Sequence, residues 1–313
     1  MSKAILVTGA TGKQGGAVIN ALIKRKDADF DILAVTRDVH SASAKRVASR
    51  SSSITLVQGN LNDVPTLFKD AREACNRPIW GVYSVQVSMG KGVTVESEIS
   101  QGKALIDEAI RAGVTHFVYN SVERGGDEAS WNNPTPIPHF QSKYYIERHL
   151  RDATAAGKAG ERMGWTIFRP VAFMDNLVPG VPNQVFMAAM HNWMGHKPNQ
   201  WVATSDIGIF ATKAFVEPER WNRKAVGLAG DELTFRELNA AFEKVAGHPV
   251  PESHWIFGSV LTLMVTELRL MIGWFASDGY KADVKSRRRE HPELLTMEEW
   301  LRKESSFTPK EGL

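Results

Sequence analysis

Cysteine is nearly absent: 313 residues carry one, Cys75. A lone thiol cannot build an internal disulfide framework, which points to a reducing, intracellular compartment. No base is adjacent to it in sequence, so it reads as a buried structural thiol. Strong charge of either sign is lacking as well. The net charge of +3 is too mild for the clustered basic face of a nucleic-acid binder. The only basic cluster, KSRRRE at 285–290, reads as a solvated helix face. No basic stretch followed by an apolar one opens the chain, so no secretory signal is expected. Uninterrupted apolar runs are missing too. The most apolar segment, SVLTLMVTELRLMIGWFAS at 259–277, is broken by Glu267 and Arg269 and falls short of the ~20 residues of a membrane span. It reads as a buried or half-buried helix. The expectation is a cytoplasmic protein, or a nuclear one if it is a regulator, with no membrane, nucleic-acid or metal partner.

What is present is a beat of strands and helices. Buried-type strands at 4–9, 31–37, 54–59, 78–85, 115–122 and 165–170 alternate with helical spacing at 14–26, 42–50, 64–74, 95–114 and 139–156. Such alternation specifies βαβ units and a parallel sheet covered on both faces. The fold class is therefore α/β, a Rossmann-type doubly wound sheet over 1–170. After residue 171 the pattern loosens into a smaller mixed domain, 171–313, placed over the carboxyl edge of the sheet. This second half holds Trp193, Trp201, Trp221, Trp255, Trp274 and Trp300, and ends in a helix at 294–304.

The first strand-to-helix turn reads VTGATGKQGG. Gly9 permits the tight turn, Gly12 lets a phosphate approach the backbone, and Gly15 lets the helix pack close to the strand. The helix N-terminus then offers free N–H groups to a pyrophosphate. The second strand ends in Arg37 followed by Asp38, where NAD binders usually show an acid. The planar guanidinium of Arg37 matches a phosphate, and Lys13 adds a second positive charge. Together they favour NADP, against a reading in which Asp38 takes the ribose. Asn60, Leu61 and Asn62, after the third strand, suit adenine contacts.

Short-chain dehydrogenases carry Tyr-x-x-x-Lys on the helix after the fifth strand, both side chains on one face. There the tyrosine moves a proton and the lysine lowers its pKa and holds the ribose. Here HFQSKYYIERHL at 139–150 supplies His139 and Lys143. The lysine is present and the tyrosine is not. Ser121, at the end of the fifth strand, Glu123 in the loop beyond it, and His139 join Lys143 as catalytic candidates. Ser121 as an idle loop residue and His139 as a pocket wall are the competing readings. Tyr83, Tyr144 and Tyr145 are alternative sources of a phenol.

GATGKQGG, TRD, VQGNLND, EISQGKALIDEA, HFVYNSVERGG, HFQSKYYIERHL, FRPVAFMDN, SDIGIFATKAF and TMEEWL together resemble the NmrA-like atypical short-chain dehydrogenase/reductases nearly end to end. That family includes a fungal nitrogen-metabolism regulator, a mammalian NADPH-sensing protein and fungal natural-product enzymes. The resemblance implies that Gly9, Thr11, Gly12, Lys13, Gln14 and Gly15 hold the pyrophosphate. It implies that Arg37 meets the 2′-phosphate and that Asn60 and Leu61 flank the adenine. Val85 and Gln86 line the path to the nicotinamide, Lys143 reaches its ribose, and Phe173, Asp175 and Asn176 close over it. Three functions remain open. The first is an NADP(H)-dependent oxidoreductase with a small-molecule substrate, largely apolar or aromatic, as in secondary metabolism. The second is a non-catalytic NADPH/NADP sensor read by a protein partner through loops 85–92 and 173–180. The third is a cofactor-bound enzyme of cyclisation or condensation, with Glu123 or Asp175 moving protons.

Overall fold

The computed structural model describes residues 2–307 except Lys26, Ala28, Met89 and Lys91. The end of the helix expected at 14–26 and two members of the 85–92 loop lie outside the described residues. The strands are β1 (Lys3–Val7), β2 (Phe30–Thr36), β3 (Ile54–Gln58), β4 (Ile79–Ser84), β5 (His116–Asn120), β6 (Gly164–Pro170), β7 (Ala172–Phe173), β8 (Asn199–Val202), β9 (Lys224–Leu228) and β10 (Asp231–Leu233). The helices of the first half are α1 (Lys13–Lys24), α2 (Ala42–Ala48), α3 (Val64–Cys75), α4 (Val95–Arg111) and α5 (Pro138–Ala153). Those of the second are α6 (Val181–Met194), α7 (Thr204–Val216), α8 (Pro218–Trp221), α9 (Phe235–Ala246), α10 (Trp255–Met264), α11 (Thr266–Ser277), α12 (Val284–Glu290) and α13 (Met297–Lys303).

Seven strands form one sheet in the order β3-β2-β1-β4-β5-β6-β9, with β1 to β6 parallel. The strand order reverses between β1 and β4, which makes the crevice beyond their carboxyl ends the switch point of a doubly wound sheet. Strands this deeply buried on both faces read as continuous apolar runs, as Ile5, Leu6 and Val7 do. A smaller sheet, β10-β8-β7, is mixed: β7 runs parallel and β10 antiparallel to β8.

The chain forms two compact units. The first comprises residues up to Ser121, Gln141–Arg169 and Ile207–Val226; the second comprises Val122–Phe140, Pro170–Asp206 and the chain from Gly227. In the first, a buried fork from Arg169 to Glu147 (Nε–Oε1 3.0 Å, Nη2–Oε2 2.8 Å) fastens α5 to β6. In the second, Trp201 and Trp300 fill one core with Phe242 and Met174, and Trp274 fills another with Phe140 and Phe275.

Three expectations change. The apolar segment at 259–277 is two helices, α10 and α11, bent by 115°. α10 turns its small residues inward: a Cβ on Gly258 would lie 2.4 Å from the Ala189 amide nitrogen, and Thr262 is also buried. Its large ones, Trp255, Ile256, Phe257, Val260, Leu263 and Met264, face out. Among the described residues no single helix is long and apolar enough to cross a membrane. The 285–290 cluster is not simply a solvated face. Arg287 is buried, and Arg288 donates to the Leu294 and Gly230 carbonyls at 2.7 and 2.9 Å. Cys75 is half-buried at the end of α3, near the Arg77 carbonyl (3.3 Å), because the helix stops there and leaves it at the rim.

Candidate functional site

The glycine loop leaves β1 at Gly9, whose φ of +61° an L side chain rarely adopts. A Cβ on Gly15 would lie 2.3 Å from the Gly9 carbonyl oxygen, so only glycine lets α1 start this close to the strand. α1 has Gly12 as its N-cap, with no side chain capping it. A helix start without a side-chain cap suits an external acceptor such as a phosphate. Thr11, Gly12 and Lys13 are exposed around it.

β4 is locked to β1 by Thr8, a residue without a role in the sequence reading. Its hydroxyl donates to the Val85 carbonyl (2.9 Å) and accepts from the Val85 amide (2.8 Å). Val85 in turn crowds Gly9, where a Cβ would meet its Cγ1 at 2.7 Å. Gln86 donates to Ser84 Oγ at 2.9 Å, while its Oε1 is buried without a hydrogen-bond partner among the described residues. Asn120, ending β5, donates to Gln14 Oε1, and its own Oδ1 is likewise buried and unpartnered. Buried acceptors left open in this way call for a donor from a water or a ligand. Ser121 follows, buried, its amide on the Phe168 carbonyl at 2.7 Å.

Beyond β2, Arg37 is exposed and lines an open groove of about 340 Å³ with Gln58, Gly59, Asn60 and Asp70. Among the described residues it has no ion-pair partner, and Asp70, which sequence reasoning missed, also lines the groove. Asn60 closes an Asx turn on the Asn62 amide (3.1 Å), and Leu61 is half-buried.

Lys143 is buried on α5. Its ammonium ion-pairs with Glu98 of α4, whose carboxylate is 1% exposed, and stands 5.9 Å from the Tyr119 ring. The same carboxylate accepts from Ser142 Oγ at 2.6 Å and Ser88 Oγ at 3.0 Å. Nothing in the sequence pairs these residues, because Glu98 lies on another helix.

His139, Glu123, Phe173, Asp175 and Asn176 belong to the second unit, and the candidate phenols to the first. His139 Nδ1 lies 2.6 Å from Glu267 Oε1. Glu123, fully buried, accepts from the amides of Gly125 (3.0 Å), Gly126 and Lys281 (3.1 Å). Burial pushes its carboxyl above the usual range, against the pull of those three donors. Asp175 accepts from the Thr204 amide (2.8 Å) and hydroxyl (2.6 Å) at the start of α7; Phe173 is half-buried and Asn176 exposed. Of the alternative phenols, Tyr83 is wholly buried and burial pushes it well above the usual range. Tyr144 Oη accepts from Arg148 at 2.7 Å, and Tyr145 is exposed.

A glycine turn at the switch point, an uncapped helix start and open acceptors past β4 and β5 form a dinucleotide-type cradle. A model of the NmrA-like family matches residues 1–301. The chain belongs to the NmrA-like family. Among its relatives is the NmrA-like family domain-containing oxidoreductase hkm9 of Aspergillus hancockii, 25% identical over an alignment of 342 positions that covers 98% of each chain. Among solved structures, NmrA, a negative transcriptional regulator in complex with NADP, superposes with a TM-score of 0.65 at 18% identity, covering 96% of this chain and 95% of the other. The Citrobacter sp. triphenylmethane reductase complexed with NADP(H) gives 0.71 at 20% identity, covering 96% and 99%. At these identities the two structures establish a shared fold. This NmrA-like chain has a glycine turn after β1 and a lysine on α5, with His139 one helical turn before that lysine.

Proposed function

We propose that this NmrA-like protein is an NADP(H)-dependent oxidoreductase acting on a largely apolar or aromatic small molecule. The observation that carries the reading is the cradle of the first unit. The uncapped start of α1, the open acceptors of Gln86 and Asn120 and the buried ammonium of Lys143 suit a pyrophosphate, an amide and a ribose. The exposed guanidinium of Arg37, in a groove with room for a phosphate, supports NADP over NAD. When bound, the nicotinamide supplies or takes the hydride. In this reading the protein's part is to hold the dinucleotide through α1, Arg37 and Lys143 and to keep water from the reacting carbon.

The outward face of α10 supports an apolar substrate. Trp255, Phe257, Leu263 and Met264 are each more than half exposed, from 59% to 79%. No charge falls in this helix, and exposed apolar patches of this kind mark binding surfaces. The oxidoreductase name of the hkm9 relative points the same way. A second reading, a non-catalytic NADPH/NADP sensor, is favoured by one observation: the position of the usual tyrosine is His139, whose Nδ1 faces Glu267. Nothing favours the cyclisation reading, since the carboxylates of Glu123 and Asp175 are taken up by backbone and hydroxyl donors.

The test is NADPH oxidation against a panel of aromatic carbonyls, imines and quinones, with wild type and Lys143→Ala. Turnover that falls in Lys143→Ala supports the oxidoreductase. Tight NADPH binding with no substrate consumed overturns it and leaves the sensor.

A further inference from the structure

We infer that Glu98 is the positioning residue of Lys143, and that one buried carboxylate joins the ribose lysine to the loop after β4. The inference rests on the reading of Lys143 as a cofactor-holding lysine and adds to it a residue from a different helix.

Glu98 lies in the first turn of α4, and its side chain is almost fully enclosed. Its oxygens meet three donors from two segments: Lys143 Nζ and Ser142 Oγ of α5, and Ser88 Oγ of the segment that follows Val85 and Gln86. An isolated buried carboxylate is strongly disfavoured, and so is an isolated buried ammonium. Each is admitted to the interior by the other, and the two serine hydroxyls satisfy further lone pairs.

The pairing has two consequences for Lys143. The carboxylate takes one N–H donor of the ammonium. The donors that remain suit ribose hydroxyl oxygens, so Lys143 serves to hold the ribose. The carboxylate also fixes where the ammonium sits. A flexible four-carbon stem carries large rotamer entropy, and the ion pair spends that entropy before the cofactor arrives. Through Ser88, the same contact ties the cofactor-side loop to the state of the lysine. Breaking the pair therefore loosens two parts of the cradle together.

Glu98→Gln keeps the shape and an acceptor for Ser142 but removes the charge. Glu98→Asp keeps the charge and serves as the rescue variant. The full chain is used, with circular dichroism to establish that each variant is folded. The first readout needs no cofactor: the rate at which an amine-acylating reagent modifies Lys143, mapped by mass spectrometry at mildly alkaline pH. Glu98→Gln is expected to speed this modification several-fold, because an amine no longer held by the buried carboxylate reaches the reagent more freely, and Glu98→Asp to restore the slow rate. An unchanged rate in Glu98→Gln overturns the pairing. The second readout is NADPH affinity by fluorescence titration across Glu98→Gln, Lys143→Ala and the double variant. The double variant is expected to bind no more weakly than Lys143→Ala alone, because the two residues act as one unit; additive losses overturn the positioning role. Lys143→Ala binding NADPH as wild type does refutes the cofactor reading, and with it the positioning role, while the acylation result still decides the pairing. If Glu98→Gln does not fold, Glu98→Met takes its place in the acylation arm, with faster modification expected and an unchanged rate overturning the pairing.

Discussion

Glu123 separates catalysis from architecture, and a single substitution decides between them. Its carboxylate accepts backbone N–H groups from Gly125, Gly126 and Lys281, which makes it a brace between two loops of the second unit. Glu123→Gln replaces one oxygen by an NH₂ group that faces an N–H donor. At least one buried donor then loses its acceptor, at about 1–3 kcal/mol for each. The loss of charge weakens the remaining bonds, since bonds to a charged acceptor are worth about 1.5–3 kcal/mol and neutral ones about 1. The expected destabilisation is about 2–4 kcal/mol. At roughly 2–4 °C per kcal/mol for a chain of this size class, Tm falls by about 4–16 °C. Differential scanning calorimetry and NADPH turnover are read on the same preparation, the turnover well below the new Tm. The brace predicts a lowered Tm with turnover per folded molecule within about threefold of wild type. A proton-moving Glu123 predicts the opposite, an unchanged Tm and a rate loss of about 10²–10⁴-fold. That result refutes the reasoning.

Arg37→Ala is expected to weaken NADPH by about ten- to a hundredfold, the worth of a charge-assisted phosphate contact, and to leave NADH within about threefold; equal losses in parallel titrations argue against the NADP preference. Asp206, buried beside His291 (3.7 Å) and bonded to the Leu295 amide (3.1 Å), is pushed up to about 7 by burial, with Glu304 and Asp175 adding to the rise and Arg288 opposing it. Its folded form holds a proton that the unfolded chain releases near the usual 3.8. The contribution is therefore full below about pH 4 and lost as pH rises to about 7, at most about 4 kcal/mol. Asp206→Asn should raise stability at pH 8 and change it little at pH 4 in urea titrations. His116 is the opposite case: burial, with help from the Lys3 charge, pushes it down to about 4 from the usual 6.5. Its contribution is present above pH 6.5 and lost as pH falls to about 4, at most about 3 kcal/mol. His116→Gln should remove that rise and leave the Asp206 fall unopposed, so that stability drops from about pH 4 to 7 in the same titrations; a curve as flat as that of wild type counts against the assignment.

The two pH effects oppose one another between about pH 4 and 7, so the wild-type curve is expected to be flatter than that of either variant. Neither group was legible as unusual in the sequence. His116 sits among apolar strand residues and Asp206 in a helix start, and both owe their shifts to burial. The same holds for the apolar stretch that became α10 and α11. Composition marked it as apolar, but Gly258 and Thr262 face inward and Trp255, Leu263 and Met264 outward, the reverse of the usual amphipathic rule.

The sequence by itself determined the parallel sheet, the glycine turn after β1, the cation at Arg37 and the lysine at 143. Each is a local matter: a strand's apolar run, a turn that only glycine fits, a side chain at a fixed step past a strand. Only the tertiary structure decided what those groups face. It set Glu98 against Lys143, 45 positions apart in the chain, and spent Glu123 on backbone donors from two loops. It engaged His139 with Glu267 and left Gln86 and Asn120 with open acceptors. The physical reason is that a charge or a polar atom acquires its role from what desolvates it and what pairs with it. Both are supplied by segments far away in sequence.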